Sequence, residues 1–444
     1  MRYPTLKNWF TILIFILGLI CLLGLIFSIR ASSAVRVGYD QRDITPTLGL
    51  KEENPFLPGK PYNKRANNFQ DELTVSALVL DDGFGNILAL VSVDAFGLFR
   101  DDVQKIRQRV RDIFPDGNKI IVSSTHTHSA PDFLGVYSDS RKDKGQMEDL
   151  EYLINQTADA IRSAYKNRNT AEIKIKNGRL GDIIANDRDP NVLDDNVFMM
   201  HIQPTKKYFG IIHGVADFFE AKEKPIFLVG FACHPEFLRK TDSLSSDYVG
   251  NLRDRLSSLG KNETTVAYPM FFSGALGGMV VPNLRYRFDD KLLGMIRFNN
   301  DVQEQIYSYA GTFEAVNISP MEIRTEILKI ELKNKVFKNK LEKGLLPHQL
   351  DRGKLSTEVS VVFLGDQIVL VAVPGEMSPE ISLKIRTIFP DKTVWFLGLA
   401  NDELGYILPK KKYKEKIYEY ERSLAVNDNI GDEIFKSVKR MARK

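Results

Sequence analysis

An apolar segment at residues 120–124 ends just before two histidines, His126 and His128, and a turn closed by Pro131. In an extended segment, residues i and i+2 project to the same face, so both imidazoles are predicted to point into one space. Imidazole is the commonest nitrogen ligand of zinc, which favours a metal site at this strand end. The alternative is a polar strand end with two hydrogen-bonded histidines.

Other predicted strands end in the same way, at a side chain that can bind a metal or move a proton. Residues 225–232 (PIFLVGFA) lead to His234, residues 368–373 lead to Glu376, and residues 393–399 lead through a short loop to Tyr406. Sheets in α/β proteins bind ligands beyond their strand ends. Two histidines and one carboxylate form a catalytic zinc set that leaves one position for water. We therefore predict a mixed α/β fold, with central β-sheets flanked by helices and ligands at the strand ends.

Hydrophobic periodicity predicts the elements around these strands. Residues 72–80 and 87–93 flank the turn Asp81-Asp82-Gly83, and residues 359–364 and 368–373 flank Gly365-Asp366, so two hairpins are expected. Apolar residues at helical spacing predict helices over residues 101–114 and 147–161. Two further strands are expected at 198–203 and 209–219. Cys233 is expected to be a small core residue.

The N-terminal region reads as a membrane anchor. Residues 9–29 contain no charged side chain and are long enough to span the hydrocarbon core as a helix. The division is therefore an anchor at residues 1–34 and a folded body at 35–444. The flanking charges favour a body on the extracytoplasmic side, periplasmic or extracellular. The lysine-rich residues 330–354 are predicted to be a surface insertion or a linker between lobes.

Composition limits the partners. The formal net charge is only +4, and no basic helix interleaved with aromatic residues occurs, so a nucleic-acid partner is not expected. The sequence does not specify an oligomeric state.

From about residue 37 to about residue 424, the sequence resembles the neutral, non-lysosomal ceramidases and their bacterial relatives. Seven short motifs, individually weak, follow one another in the order found in that family. They are DITP (43–46), STHTHSAP (124–131), NDRDP (186–190), FACHP (231–235), SSDYVG (245–250), VPGE (373–376) and GLANDELGY (398–406).

The resemblance implies a zinc-dependent amidohydrolase acting on a lipid-like amide, with roles for particular residues. The implied zinc ligands are His126, His234, Glu376 and Tyr406. His128 then becomes an acid/base or orienting histidine. Arg188 matches a substrate-contacting arginine, and Tyr418, twelve residues after Tyr406, matches a tyrosine that polarises the scissile carbonyl.

One motif departs from the family pattern. The family has a serine in a GDxSP-type motif, but the corresponding segment here is SGALGGMVVPN (273–283), with Gly278 at the aspartate position and Val281 before Pro282. Ser273, at the end of its own strand, is the candidate substitute. The alternative function is a catalytically impaired protein that binds zinc and a lipid or another partner without turnover. A hydrolase of another ester or amide is a third possibility.

Overall fold

The computed structural model describes residues 34–49, 53–212, 215–257 and 267–443, with backbone alone for 207–212 and 215–220. The strands of this part are β1 (Arg36–Asp43), β2 (Asn68–Phe69), β3 (Thr74–Asp81), β4 (Ile87–Val93), β5 (Ile120–Ser124), β6 (Asn169–Arg179), β7 (Ile184–Asn186), β8 (Asn196–Ile212), β9 (Val215–Lys222), β10 (Ile226–Phe231), β11 (Ser243–Leu244), β12 (Tyr268–Ser273), β13 (Val280–Pro282), β14 (Glu314–Ala315), β15 (Met321–Glu331), β16 (Lys354–Leu364), β17 (Ile368–Ala372), β18 (Glu376–Met377), β19 (Thr393–Leu397) and β20 (Tyr406–Ile407). The α-helices are α1 (Arg100–Arg109), α2 (Lys144–Lys166), α3 (Tyr248–Ser257), α4 (Lys291–Ser308), α5 (Lys335–Glu342), α6 (Pro379–Arg386), α7 (Glu419–Leu424) and α8 (Ile430–Arg443).

Two sheets form the centre of the molecule. The larger has the order β12-β10-β8-β6-β1-β3-β4-β5, with β9 paired to β8 and β14 paired to β6. The smaller has the order β15-β16-β17-β19. Three neighbouring pairs run parallel, namely β4 with β5, β10 with β12, and β17 with β19. Parallel neighbours present their carboxyl ends at one edge, and these three pairs carry the predicted ligand positions.

The alternation of side chains along each strand explains the layers. Leu78 and Leu80 of β3 pack with Leu370 and Trp395 of the smaller sheet, whereas the intervening Val79 packs on the opposite face. That opposite face is covered by α1 and α2 at one end and by α3 and α4 at the other. The outer face of the smaller sheet is covered by α6 and α8. The order is therefore helices, sheet, sheet, helices.

The larger sheet curls until its two end strands approach each other. Ser92 on β4 donates a hydrogen bond of 2.5 Å to the carbonyl of Phe271 on β12. Ser273, the last residue of β12, donates one of 2.8 Å to the carbonyl of Thr125, just beyond β5. The segment after β19 enters the same seam, where the Gly398 amide donates to the Ser273 carbonyl. Three distant parts of the chain thus meet at one point.

The predicted mixed α/β class, with central sheets flanked by helices, is confirmed. Both predicted hairpins are present, as β3–β4 and β16–β17. The helix predicted over 101–114 has its regular part at Arg100–Arg109. The strand expected at 198–203 is much longer, because β8 continues to Ile212 and pairs with both β10 and β9.

The lysine-rich residues 330–354 connect β15 to β16, which are neighbours in one sheet, and they carry α5. The predicted membrane-spanning helix at residues 9–29 lies outside the described residues. Among the residues that the structure describes, no helix is both long enough and apolar enough to cross a membrane.

Candidate metal centre

His126 and His234 face each other across the seam of the larger sheet. Each is 1% exposed, and their ring centroids lie 5.2 Å apart. Nδ1 of His126 lies 2.7 Å from the carbonyl oxygen of Phe96, and Nδ1 of His234 lies 2.8 Å from that of Val280. A carbonyl only accepts, so each Nδ1 carries the proton and each Nε2 keeps its lone pair. Both imidazoles are thereby oriented as metal ligands.

Glu376 supplies a carboxylate between the two Nε2 atoms. Its Oε2 lies 3.0 Å from Nε2 of His234 and 3.6 Å from Nε2 of His126. Ligands about 2.0–2.1 Å from a tetrahedral ion are separated from each other by about 3.3 Å. The two distances from Oε2 therefore fit three ligand atoms around one divalent ion.

The backbone around Glu376 is fixed by a glycine-rich loop. Gly277 donates its amide to the carbonyl of Met377, and a Cβ on Gly277 would lie 2.2 Å from the carbonyl oxygen of Glu376. Only glycine allows the two segments to approach so closely. The segment that departs from the family motif thus serves to hold Glu376, and through Val280 it also orients His234.

Charge is balanced within the centre. Burial raises the pKa of Glu376, but His126 and His234 outweigh burial and hold that pKa well below its ordinary value. Burial lowers the pKa of His234, but the hydrogen bond that its Nε2 donates to Glu376 when protonated leaves that pKa above its ordinary value. The carboxylate is therefore ionised, as a cation ligand must be.

His128 completes a cluster of three imidazoles, whose ligand nitrogens all lie within 4.8 Å of one another. These three histidines could hold a metal ion. The Nε2 of His128 is buried and has no hydrogen-bond partner among the described residues. Burial and the imidazoles of His126 and His234 hold the pKa of His128 well below its ordinary value, which keeps it neutral. The carboxylate of Glu376 lies beside the other two histidines, at 3.0 Å from His234 and 3.6 Å from His126.

The two histidines do not come together in the way the sequence analysis expected. The segment 125–128 is not an extended strand, because β5 ends at Ser124 and His126 has a left-handed φ of 71°. The ring of His126 stacks on Phe96, with centroids 4.6 Å apart, and this contact and the bond to the Phe96 carbonyl hold it in place.

Tyr406 lies beside Glu376, because β18 and β20 pair in parallel with these two residues in register. Its ring lies nearly parallel to the imidazole of His234, with centroids 6.5 Å apart. Burial and the charge of Glu376 raise the pKa of Tyr406 well above its ordinary value. The four side chains named as ligands from the sequence are thus brought into one buried cluster.

The other predicted site residues surround this centre at different depths. Ser273 is fully buried, and its hydroxyl donates to the carbonyl of Thr125. Arg188 lines a neighbouring cavity, and its Nε donates a 2.6 Å hydrogen bond to Glu421. Tyr418 is 1% exposed and packs with Tyr406 in a small hydrophobic cluster.

Sequence reasoning missed Tyr420 and Tyr137. Tyr420 is 42% exposed and lines the cavity, and its ring centroid lies 6.0 Å from that of Tyr406. Its hydroxyl lies 2.9 Å from that of Tyr137. The only signal in the sequence was that Tyr420 stands two residues after Tyr418, which does not say which of the two faces the cavity.

No protein-family model matches the sequence, and no curated protein matches it. Solved structures do match. The neutral ceramidase from Pseudomonas aeruginosa aligns with a TM-score of 0.70 at 15% identity, over 92% of this chain and 74% of that one. A ceramidase complexed with C2 aligns with a TM-score of 0.71 at 15% identity, over 92% and 75%.

Fold and site together define a two-sheet α/β protein with a candidate metal centre at its strand ends. The fold is that of the neutral ceramidases, so the family likeness predicted from seven short motifs is confirmed at the level of the fold.

Proposed function

We propose that this chain is a zinc-dependent hydrolase of N-acyl amides, with ceramide-like lipids as the substrate class. The observation that carries the proposal is the convergence of His126, His234 and Glu376, whose Nε2 and Oε2 atoms have the spacing of ligands to one ion. Two nitrogens and one carboxylate oxygen are a donor set that zinc accepts. The likeness to ceramidases supports the amide substrate.

In this proposal, His126, His234, Glu376 and Tyr406 would hold the zinc. When bound, zinc supplies a Lewis acid and a hydroxide nucleophile at neutral pH. His128 moves the proton, because its buried Nε2 is unpaired and its imidazole is neutral. It accepts a proton on the attacking side and delivers one to the leaving amine. Arg188 borders the cavity through which the substrate would approach.

The proposal also places the chain at a membrane, with residues 9–29 as the anchor and the body on the extracytoplasmic side. A lipid substrate would then be reached from the bilayer surface. Sedimentation of the full chain with membranes, compared with a chain that begins at residue 35, tests this part separately.

The whole proposal is tested by metal analysis of the purified chain together with turnover on a panel of fluorogenic N-acyl amides. Zinc at about one ion per chain and release of the amine are expected. Absence of a bound divalent ion after purification without chelators would contradict the zinc assignment.

Substituting the two nearby tyrosines by phenylalanine separates their roles. Tyr420→Phe is expected to lower kcat by about 100-fold, as loss of one donor to a developing oxyanion does. Tyr418→Phe is expected to stay within about threefold, because Tyr418 is buried away from the cavity. Steady-state measurement of kcat for both variants shows which of the two tyrosines acts in the reaction. A larger loss in Tyr418→Phe would restore the role that the sequence motif gave to Tyr418.

The second candidate function is a zinc-binding protein without turnover. It is favoured by Gly278 and Val281, which leave no hydroxyl at the position of the family serine, and by the hydrogen bond that occupies Ser273.

Ser273→Ala tests whether that hydroxyl takes part in the chemistry. We expect a stability loss of about 1 kcal/mol, because one buried hydrogen bond across the seam is lost. We expect kcat to fall by about 10–100-fold at most, since the hydroxyl holds the backbone beside His126 and not the reacting atoms. Thermal unfolding and kinetics measure both. A loss of several orders of magnitude in kcat, with zinc retained, would instead make Ser273 a catalytic residue.

A further inference from the structure

A cavity of about 430 Å³ adjoins the candidate metal centre. One wall is formed by Tyr420, which contacts Tyr406, and by Glu236, two residues beyond His234. Another wall is Met279, which packs against the cluster that contains Tyr406. A molecule held in this cavity therefore lies next to the centre.

The walls of this cavity carry an excess of positive charge. Only two acidic residues, Asp187 and Glu236, line it. Five cationic side chains line it, namely Arg188, Arg239, Lys240, Arg287 and Lys291. Gly278, at the position of the family aspartate, adds no negative charge to the loop that forms this side of the cavity.

The three arginines are neutralised by nearby carboxylates. Arg287 donates two hydrogen bonds, of 2.9 and 2.7 Å, to the carboxylate of Asp187. Arg239 lies 3.3 Å from Glu236, and Arg188 lies 2.6 Å from the buried Glu421.

The ammonium groups of two lysines in the cavity, Lys240 and Lys291, have no carboxylate partner among the described residues. In the described part of the chain, neither Lys240 nor Lys291 has a carboxylate within the 4.0 Å of an ion pair. Lys291 donates one hydrogen bond, to the carbonyl of Phe288, and Lys240 is exposed. Lys240 also lines an adjoining groove with Lys60, whereas Lys64 and Arg65 of that groove lie 3.3 Å from Asp242 and 2.9 Å from Asp143. A concave site lined by charges of one sign concentrates ligands of the other sign.

We propose that this cavity binds a negatively charged group of the substrate, so that the chain cleaves N-acyl amides carrying an anionic group in preference to neutral ones. The apolar side chains of Phe237, Met279 and Val281 contact the hydrocarbon next to that group. This inference rests on the proposed hydrolase function and specifies its substrate class.

The test compares three amides with the same acyl chain. N-dodecanoylglycine carries a carboxylate, N-dodecanoylphosphoethanolamine a phosphate, and N-dodecanoylethanolamine no charge. We expect kcat/KM to be at least about tenfold higher for one or both anionic amides at low salt, and this preference to shrink as salt screens the charges. The two anionic arms show whether a carboxylate or a phosphate is preferred.

Charge reversal at the two lysines tests the site itself. In the double variant Lys240→Glu/Lys291→Glu, the ratio of kcat/KM for the anionic amides to kcat/KM for the neutral amide is expected to fall from about tenfold to about one or below. Lys338→Glu, on α5 and outside this cavity, is the matched control and should keep the preference. Zinc content checks that each variant is folded.

A binding measurement keeps this inference separate from the proposed function. Titration calorimetry on the chain after zinc removal should show tighter binding of N-dodecanoylglycine than of N-dodecanoylethanolamine, with the difference lost in the double variant. If none of the amides is cleaved but the anionic amide still binds more tightly than the neutral one, the proposed hydrolysis is refuted. The proposal that the cavity binds an anionic group is then supported on its own. Equal binding and equal turnover of charged and neutral amides, or a preference unchanged by the double variant, would overturn the inference.

Discussion

Replacement of His234 by alanine is expected to remove together the metal binding and the amide hydrolysis that we propose. His234 is 1% exposed, its Nδ1 is fixed by the Val280 carbonyl, and its Nε2 is aimed at the Glu376 carboxylate. Loss of a residue that merely orients a ligand costs about 10–100-fold in metal affinity, and loss of the ligand itself should exceed about 100-fold. Chelator competition and kinetics measure the two effects.

His126→Ala is expected to behave in the same way, because it supplies the equivalent nitrogen from the other side of the seam. His201→Ala is the matched control. His201 lies on β8, is half-buried and has no part in the centre, so this variant should keep both metal and turnover. Full zinc content in His234→Ala would show that the three-atom cluster is not the metal centre.

Replacement of Glu376 by glutamine is expected to separate metal binding from folding. The amide has nearly the shape of the carboxylate, and its nitrogen can donate to the Nε2 atoms of His126 and His234. The negative charge that both imidazoles now face is lost, and with it the attraction for a divalent cation. We expect more than about 100-fold weaker zinc binding, with little change in the unfolding of the metal-free chain.

Glu358→Gln is the contrasting variant. Glu358 is 1% exposed, accepts hydrogen bonds of 2.9 and 2.6 Å from Arg107 and one of 2.8 Å from Asn401, and is not one of the side chains of the centre. The variant removes the negative charge that faces the buried guanidinium of Arg107. We expect it to destabilise the fold by up to about 3 kcal/mol and to leave the zinc affinity unchanged. Native zinc affinity in Glu376→Gln, or weak zinc affinity in Glu358→Gln, would contradict this assignment.

The candidate ligands at the strand ends could be predicted from the sequence, because each is marked by a local sequence pattern. An apolar run followed by a polar ligand marked His126, His234, Glu376 and Tyr406, and the structure brings these four together. The layers also follow from local alternation, as in Leu78 and Val79 of β3.

The closure of the larger sheet could not be predicted. His126 follows β5 and His234 follows β10, which lie near opposite ends of the strand order. Their approach depends on the accumulated twist of eight strands and on long-range hydrogen bonds such as that from Ser273 to Thr125. The outward placement of Tyr420 relative to Tyr418 depends on the packing of α7, which single-residue spacing does not encode.

The same seam has a consequence for biosynthesis. The imidazoles of His126 and His234 have left the ribosome soon after half of the chain is made, whereas the carboxylate of Glu376 and the phenol of Tyr406 come within the last fifth of the chain. A nascent chain that contains both histidines but not yet Glu376 and Tyr406 would therefore offer a metal ion only part of the proposed ligand set. Capture of the proposed metal would then be completed only at the end of folding, and a chain truncated before residue 376 is expected to bind it more weakly.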